Sequence, residues 1–181
     1  YNTPMPAPIT LTLPQARALM LAAQGLLTPP TAPAVKGDVL SAIRRMGALQ
    51  IDTISVVARS PYFVLFSRLG SYATHWLEEL LAEGDLFEHW SHAACFLPIE
   101  DFALYRRRMW DDMRGWHKTW IHTHPEVVNL VLERIRAEGP LRSADFQAEK
   151  PQPGGWWNWK TEKMALEQLF TTGELLVDRR I

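Results

Sequence analysis

Gln50 and Asp52 stand two residues apart in Leu49-Gln50-Ile51-Asp52-Thr53-Ile54, a short alternating run that reads as a β-strand. On a strand, residues i and i+2 share a face and lie roughly 6.6 Å apart along the chain. Leu49, Ile51 and Thr53 then turn the other way, toward a core. A carboxylate beside a side-chain amide can hold a water molecule or stabilise a developing cation. The same pair also makes an ordinary polar strand face with an acid near its end, and residue types alone leave both readings open.

Cationic side chains surround this run in sequence. Arg44 and Arg45 precede it, Arg59 and Arg68 follow it, and Arg106, Arg107 and Arg108 form a triplet farther on. Guanidinium forks suit phosphate groups. Three consecutive arginines cover too much of a helix to face one way, so at least one is expected to pair with Asp111 or Asp112. Lys160 and Lys163 share one face of the last helix, which serves equally as a phosphate contact or as a solvated surface. Glu88, His89, Ser91 and His92 gather at a tight turn, where His92 or His89 is expected to reach a nucleic-acid backbone. Metal spacing of the CxxC or HExxH kind is absent, so neither this group nor His117, His122 and His124 reads as a metal site, and no cofactor is called for.

Composition bounds the partner. The 181 residues are 47% hydrophobic and 22% charged, and the formal net charge is −1, so a nucleic-acid surface must be a local patch. The single cysteine, Cys95, sits in an apolar run; it cannot form an internal disulfide, reads as a small core residue, and fits a reducing compartment. No apolar run approaches the ~18 residues of a membrane span. Residues 1–10 are a proline-rich, flexible lead-in without a signal-peptide pattern.

The elements that position these residues are mainly helical. Thr12 caps a helix to about Gln24, with Leu13, Ala16, Leu19, Met20 and Ala23 on one face. A helix after Asp38 buries Val39, Leu40, Ile43 and Met46, and Ser60-Pro61 opens another with Tyr62, Leu65, Phe66 and Leu69 as its stripe. Thr74 caps the next. Asp85 to Trp90 and Ala93 to Leu97 form two strands joined through Ser91-His92. One long helix is expected from Ile99 to about Trp116, another from Pro125 to Glu138, a strand stub at Leu141-Arg142, a short turn from Ser143, and a last helix from about Trp159 to Thr172. Of the eight tryptophans, Trp76, Trp110 and Trp116 read as core, while Trp156, Trp157 and Trp159 follow a glycine-rich loop.

An internal echo organises this list. Leu80-Leu81-Ala82-Glu83-Gly84-Asp85-Leu86-Phe87 parallels Leu169-Phe170-Thr171-Thr172-Gly173-Glu174-Leu175-Leu176. Each runs from a helix end through glycine and an acid into a strand start. The fold class expected is therefore mainly α with short β hairpins, as tandem winged-helix units. The first spans 11–98, a connecting helix covers 99–123, and the second spans 124–181. The second copy stops at Ile181 inside what should be its wing, so the chain reads as the first part of a longer protein.

Four stretches carry a more specific signal. "LSAIRRMGALQIDTISVVARSPYFVLFSRLG" from Leu40 to Gly70 resembles the YcaQ/AlkZ family of bacterial DNA glycosylases, as do "LTLPQARALMLAAQGL", "EHWSHAACFLPIEDF" and "WWNWKTEKMALEQLFTTGELLV". The resemblance runs from Leu11 to Val177 in the family's order. It implies action on alkylated purines, notably N7-alkylguanine. Gln50-Ile51-Asp52 matches the family's catalytic signature in the aspartate form of the branch that unhooks interstrand crosslinks. It also implies a third winged helix and a barrel-like part that supply lesion-contacting loops.

An N7-alkylguanine is cationic, so its glycosidic bond is weak and the base leaves neutral. The enzyme then needs a carboxylate facing the oxocarbenium-like sugar and a positioned water, the logic of glycoside hydrolysis. On this reading Asp52 stabilises charge and activates water, and Gln50 orients the water. No lysine adjoins the pair, so a monofunctional hydrolysis leaving an abasic site is expected. A monomer acting on double-stranded DNA in the bacterial cytoplasm, at the nucleoid, completes the expectation. Two alternatives from other classes remain: a winged-helix transcription regulator that binds duplex DNA without catalysis and has no use for the Gln50–Asp52 pair, and a winged-helix module that docks proteins.

Overall fold

A computed structural model describes residues 8–52, 55–112, 114, 116–146 and 161–180. These residues are mainly helical, with one small antiparallel sheet. Helix α1 (Leu13–Ala23) is followed by α2 (Lys36–Met46), strand β1 (Leu49–Gln50), α3 (Ser60–Leu69), α4 (His75–Ala82) and the hairpin β2 (Leu86–Trp90) and β3 (Ala94–Pro98). A 3-10 turn (Ile99–Asp101) leads into α5 (Phe102–Asp112), and α6 (Trp116–Thr123), α7 (Pro125–Glu138), a second 3-10 turn (Ser143–Asp145) and α8 (Thr161–Thr171) follow.

The sheet order is β1-β3-β2, with Gln50 opposite Cys95 and Cys95 opposite His89. Directly opposed residues point to one face, and both faces are covered. On one, Leu49, Ile51, Leu86 and Phe96 join Val39, Ile43, Leu65, Leu77, Leu80 and Leu81 from α2, α3 and α4. On the other, Phe87, Cys95 and Leu97 pack with Met109, Phe102 and Tyr105 of α5. Two-sided cover explains why β2 is buried at four consecutive positions rather than alternating. A separate cluster of Val128, Val131, Phe146, Ala165 and Leu169 holds α7 and α8 together, with Trp120 and Ile121 of α6 against it.

Several sequence expectations need correction. The apolar stripe of α1 faces solvent: Leu19 is 60% and Met20 70% exposed, and no residue of the helix is buried. Its start is as expected, with Thr12 and Gln15 forming a capping box. Amphipathic spacing defines a face but not what covers it, and α1 is tied down near its end, where Arg68 donates from Nε to the Gln24 carbonyl at 2.9 Å. Phe66, placed on the inward stripe of α3, is likewise exposed. Thr74 precedes α4 without a side-chain cap. The strand expected over Leu49–Ile54 pairs only at Leu49–Gln50, with Ile51 still donating to the Ala94 carbonyl at 2.7 Å; Thr53 and Ile54 lie outside the described residues.

The long helix expected from Ile99 to Trp116 is two helices, α5 and α6, preceded by a 3-10 turn. Leu141-Arg142 forms no strand, because Asp145 turns back to accept from the Arg142 amide at 2.7 Å and starts the 3-10 turn instead. Leu175 and Leu176, read as a strand start, belong to an irregular segment. Leu175 joins the α7–α8 cluster while Val177 joins the sheet-side core, so this segment stitches the two clusters together.

The internal echo has a matching backbone. Asp85 donates to the Leu80 carbonyl at 3.0 Å and Glu174 to the Leu169 carbonyl at 2.9 Å; Gly84 and Gly173 both take left-handed φ, +80° and +74°. These are the same glycine-ended helix stop used twice. The surroundings differ. A Cβ added at Gly84 meets open space, whereas one at Gly173 stands 2.8 Å from the Arg106 guanidinium and 3.1 Å from Met109 Cγ. Gly84→Ala is expected to cost about 1–2 kcal/mol, the left-handed penalty alone. Gly173→Ala is expected to cost a further ~1–3 kcal/mol from overpacking. Urea denaturation of both variants checks this, and equal costs would show that α5 yields freely at Gly173.

Candidate active site

Gln50 lies at the edge of the sheet on the α5 side, exposed, with Asp52 just past the strand end and half-buried. Leu49 and Ile51, buried on either side of Gln50 in sequence, fix the strand's rotation and therefore the direction in which Gln50 points. The turn of the β2–β3 hairpin stands beside this edge. His92, at its tip, places Nε2 3.2 Å from Gln50 Oε1. Two residues singled out from sequence on separate grounds thus touch.

The turn itself is anchored. Ser91 N–H donates to the Ala93 carbonyl at 2.8 Å, the Tyr105 hydroxyl donates to Ser91 Oγ at 3.0 Å, and Arg108 Nη1 donates to the Ser91 carbonyl at 3.0 Å. Sequence reasoning missed Tyr105 and Arg108 as partners of this turn. The signal available was the arginine triplet's inability to face one way, and the three guanidiniums do diverge. Arg106 donates to the Gly173 carbonyl at 3.1 Å, Arg107 pairs with Asp111 at 3.1 Å while remaining 75% exposed, and Arg108 holds Ser91.

The other cationic candidates disperse. Arg44 is held by Glu100, its Nε 2.6 Å from Oε1, and that hydrogen bond raises its already high pKa. Arg45 and Arg68 line a 270 Å³ hollow between the α1–α2 loop and α3, with Gly25 and Pro30. Burial lowers the Arg68 pKa, and its guanidinium donates to the Gln24 and Val64 carbonyls, which is a clamp on α1. Arg59 lines a wider 1230 Å³ groove between the hairpin and α7–α8. Lys163 is on α8, half-buried; Lys160, Trp156, Trp157 and Trp159 lie outside the described residues.

Glu88, His89 and His92, neighbours in sequence, go three ways. Glu88 is 5% exposed and accepts a bidentate pair from Arg180, 2.8 Å to Nε and 2.5 Å to Nη2. Nothing in the sequence spacing signals this partnership across 92 positions. His89 is fully buried against the Tyr105 and Phe170 rings, with no hydrogen-bond partner at either nitrogen among the described residues. Cys95 is buried in the core, and burial pushes its thiol pKa up. On α6, His117 Nδ1 lies 2.5 Å from Gln168 Oε1, joining α6 to α8.

Burial, helped by the Arg108 charge, holds His89 below its ordinary pKa. The folded protein keeps it neutral, while the unfolded chain takes up a proton near pH 6.5. Stability is therefore fully present above that pH and declines as pH falls toward the lowered folded value. His89→Phe, which removes two unpaired nitrogens at similar shape, is expected to shed about 1 kcal/mol of the stability lost between pH 7.5 and 5.5. Urea unfolding at both pH values measures it, and an unchanged pH difference would assign the acid sensitivity elsewhere.

Residues 43–181 match the model of the DNA glycosylase AlkZ-like family, which is well over half of the chain. The chain belongs to the AlkZ-like DNA glycosylase family. No solved structure matches it. The matched span of this AlkZ-like chain includes the Gln50–Asp52 edge, the hairpin turn and α5, so the geometry above lies within the region that defines the family. Its substrate is accordingly DNA and its work belongs to DNA repair. Among the described residues, no helix of this AlkZ-like glycosylase is long and apolar enough to cross a membrane.

Proposed function

We propose that this protein is a monofunctional DNA glycosylase that hydrolyses the N-glycosidic bond of alkylated purines, N7-alkylguanine first among them, and that Gln50 and Asp52 carry the reaction. The observation that carries the proposal is the contact of exposed Gln50 with the anchored His92 turn at one sheet edge, with half-buried Asp52 two residues farther along the chain. The order helix, strand, two helices and hairpin, with sheet order β1-β3-β2, supports reading this unit as a winged helix that presents that edge to duplex DNA.

The chemistry follows from the charge of the lesion. As the bond between C1′ and N9 breaks, both electrons go to the base, which leaves neutral because it was cationic. The sugar takes up positive charge, and the Asp52 carboxylate stabilises it at close range. A water molecule held by Gln50 adds its oxygen to C1′ and gives its proton to Asp52, which returns it to solvent. The products are free base and an abasic sugar in an unbroken strand. Interstrand crosslinks through guanine N7 present the same leaving group. An open edge supports that wider range, because a base tethered to the opposite strand cannot swing fully into a closed pocket. Of the arginines singled out from sequence, exposed Arg107 and groove-lining Arg59 are the ones this reading assigns to phosphate.

The test is release of base from duplex DNA containing N7-methylguanine by the full-length protein. Free base with strand breakage appearing only after alkali supports the proposal. Breakage without alkali would replace hydrolysis by a Schiff-base route. Tight duplex binding with no release would favour a non-catalytic regulator.

A further inference from the structure

We infer that His92 is a positioning residue for the reaction: its imidazole fixes the Gln50 carboxamide, and α5 holds the turn that carries His92. The inference rests on the reading of Gln50 as the residue that orients the attacking water. It adds a role to His92 beyond contact with a DNA backbone.

An exposed glutamine on a strand edge has three rotatable side-chain bonds, and ordering such a side chain costs on the order of 1.5–2 kcal/mol. One exposed hydrogen bond contributes only about 0.5–1.5 kcal/mol. A contact between two mobile side chains would therefore be transient. Here the second partner is not mobile at its base. Ser91 is gripped three times, by the Ala93 carbonyl, by Tyr105 and by Arg108. Tyr105 is itself packed edge-on against Phe87 and His89, and α5 is seated by fully buried Met109. The backbone of His92 is thus set by the core beneath α5, and only its own two side-chain bonds remain to be ordered.

The direction of the hydrogen bond decides what Gln50 offers. With Oε1 facing His92 at 3.2 Å, the tautomer protonated at Nε2 donates to it, and the amide then turns its two N–H donors away from the histidine. Donors directed at a water oxygen leave that water's own hydrogens for a carboxylate to accept. Asp52, two residues on from Gln50 and half-buried, is the carboxylate that the proposed function assigns to this role. A carboxamide flipped the other way would compete with Asp52 for the same hydrogens. His92 therefore selects one of two amide orientations, and the selected one complements Asp52.

Single-turnover release of N7-methylguanine, duplex affinity and the side-chain amide NMR signals of Gln50 together test this in the full-length protein. His92→Ala is expected to slow release about tenfold with affinity changed less than about twofold. His92→Gln, which restores an N–H donor, is expected to recover most of the rate. In a Gln50→Ala background, His92→Ala is expected to cost nothing further. The Gln50 amide signals, identified by their loss in Gln50→Ala, are expected to move in His92→Ala. Equal losses in both backgrounds, a loss confined to affinity, or unmoved amide signals would overturn the positioning role while leaving the glycosylase reading intact. A parent that releases no base overturns the glycosylase reading, and this role falls with it.

Discussion

Asp52→Ala is expected to lower single-turnover release of N7-methylguanine by about 10²–10³-fold, the usual cost of removing one preorganised electrostatic contact to a transition state. The expectation follows from where charge develops. The cationic base loses its charge on leaving, so the sugar is the only centre that gains positive charge, and a fixed carboxylate interacts with it far more strongly at a protein edge than in bulk water. Asp52→Asn keeps the shape and removes the charge, and is expected to lose nearly as much. Asp52→Glu carries the charge one methylene farther and is expected to fall between. This ordering separates electrostatic stabilisation from a purely steric role. A thermal melt run beside each variant separates lost chemistry from lost fold. An Asp52→Asn variant that retains full rate would remove the carboxylate from the mechanism and turn attention to Gln50 alone.

The second large effect is on stability. Arg180→Ala is expected to cost about 3 kcal/mol, near the lower end of the range for orphaning one member of a buried ion pair. Glu88 is 5% exposed and both of its oxygens are taken by Arg180, whose side chain is 25% exposed. Removing the arginine leaves a buried carboxylate in the flank of the sheet without the two donors that held it, and the segment around Arg180 loses its hold on the hairpin. At roughly 2–4 °C per kcal/mol for a chain of this size, the melting temperature should drop by about 6–12 °C. Replacing both residues by methionine is expected to regain most of the loss, because the charge that needed a partner is gone. A single Arg180→Ala variant melting within about 1 °C of the parent would show that water reaches Glu88 and that the pair contributes little.

Local signals carried most of the helix list and the hairpin. Pro61 at a helix start, Thr12 with Gln15, and the glycines after α4 and α8 act within one turn of chain, so neighbouring letters report them. Gln50 and Asp52 were singled out by two-residue strand spacing and by the resemblance of the surrounding stretch to a known family; the paired strand ends at Gln50, and the roles of both residues stand as proposals. Three things were not legible. The burial of β2 on both faces depends on α5 coming to lie over the sheet, which is a tertiary event. The break between α5 and α6 removes a helix that apolar spacing alone extends to Trp116. The contacts of Arg44, Arg68 and Arg180 with Glu100, Gln24 and Glu88 span 56, 44 and 92 positions, beyond the reach of any local pattern. Arginine identity announced a fork in each case, but not whether a phosphate or a residue of the same chain would fill it.

The divergent arginines of α5 also set how this chain can change in length. Arg106 meets Gly173, Arg108 meets Ser91, and Met109 is sunk in the core between them, all within about one turn of helix. Inserting one residue before Arg106 would rotate everything downstream by about 100°, and each of these side chains would leave its partner together. An insertion in the loop between α1 and α2 displaces no such set. Length variation among natural relatives should therefore collect near residues 27–35 and be excluded from residues 102–109, so that α5 acts as a ruler whose length is held constant while the segments around it drift.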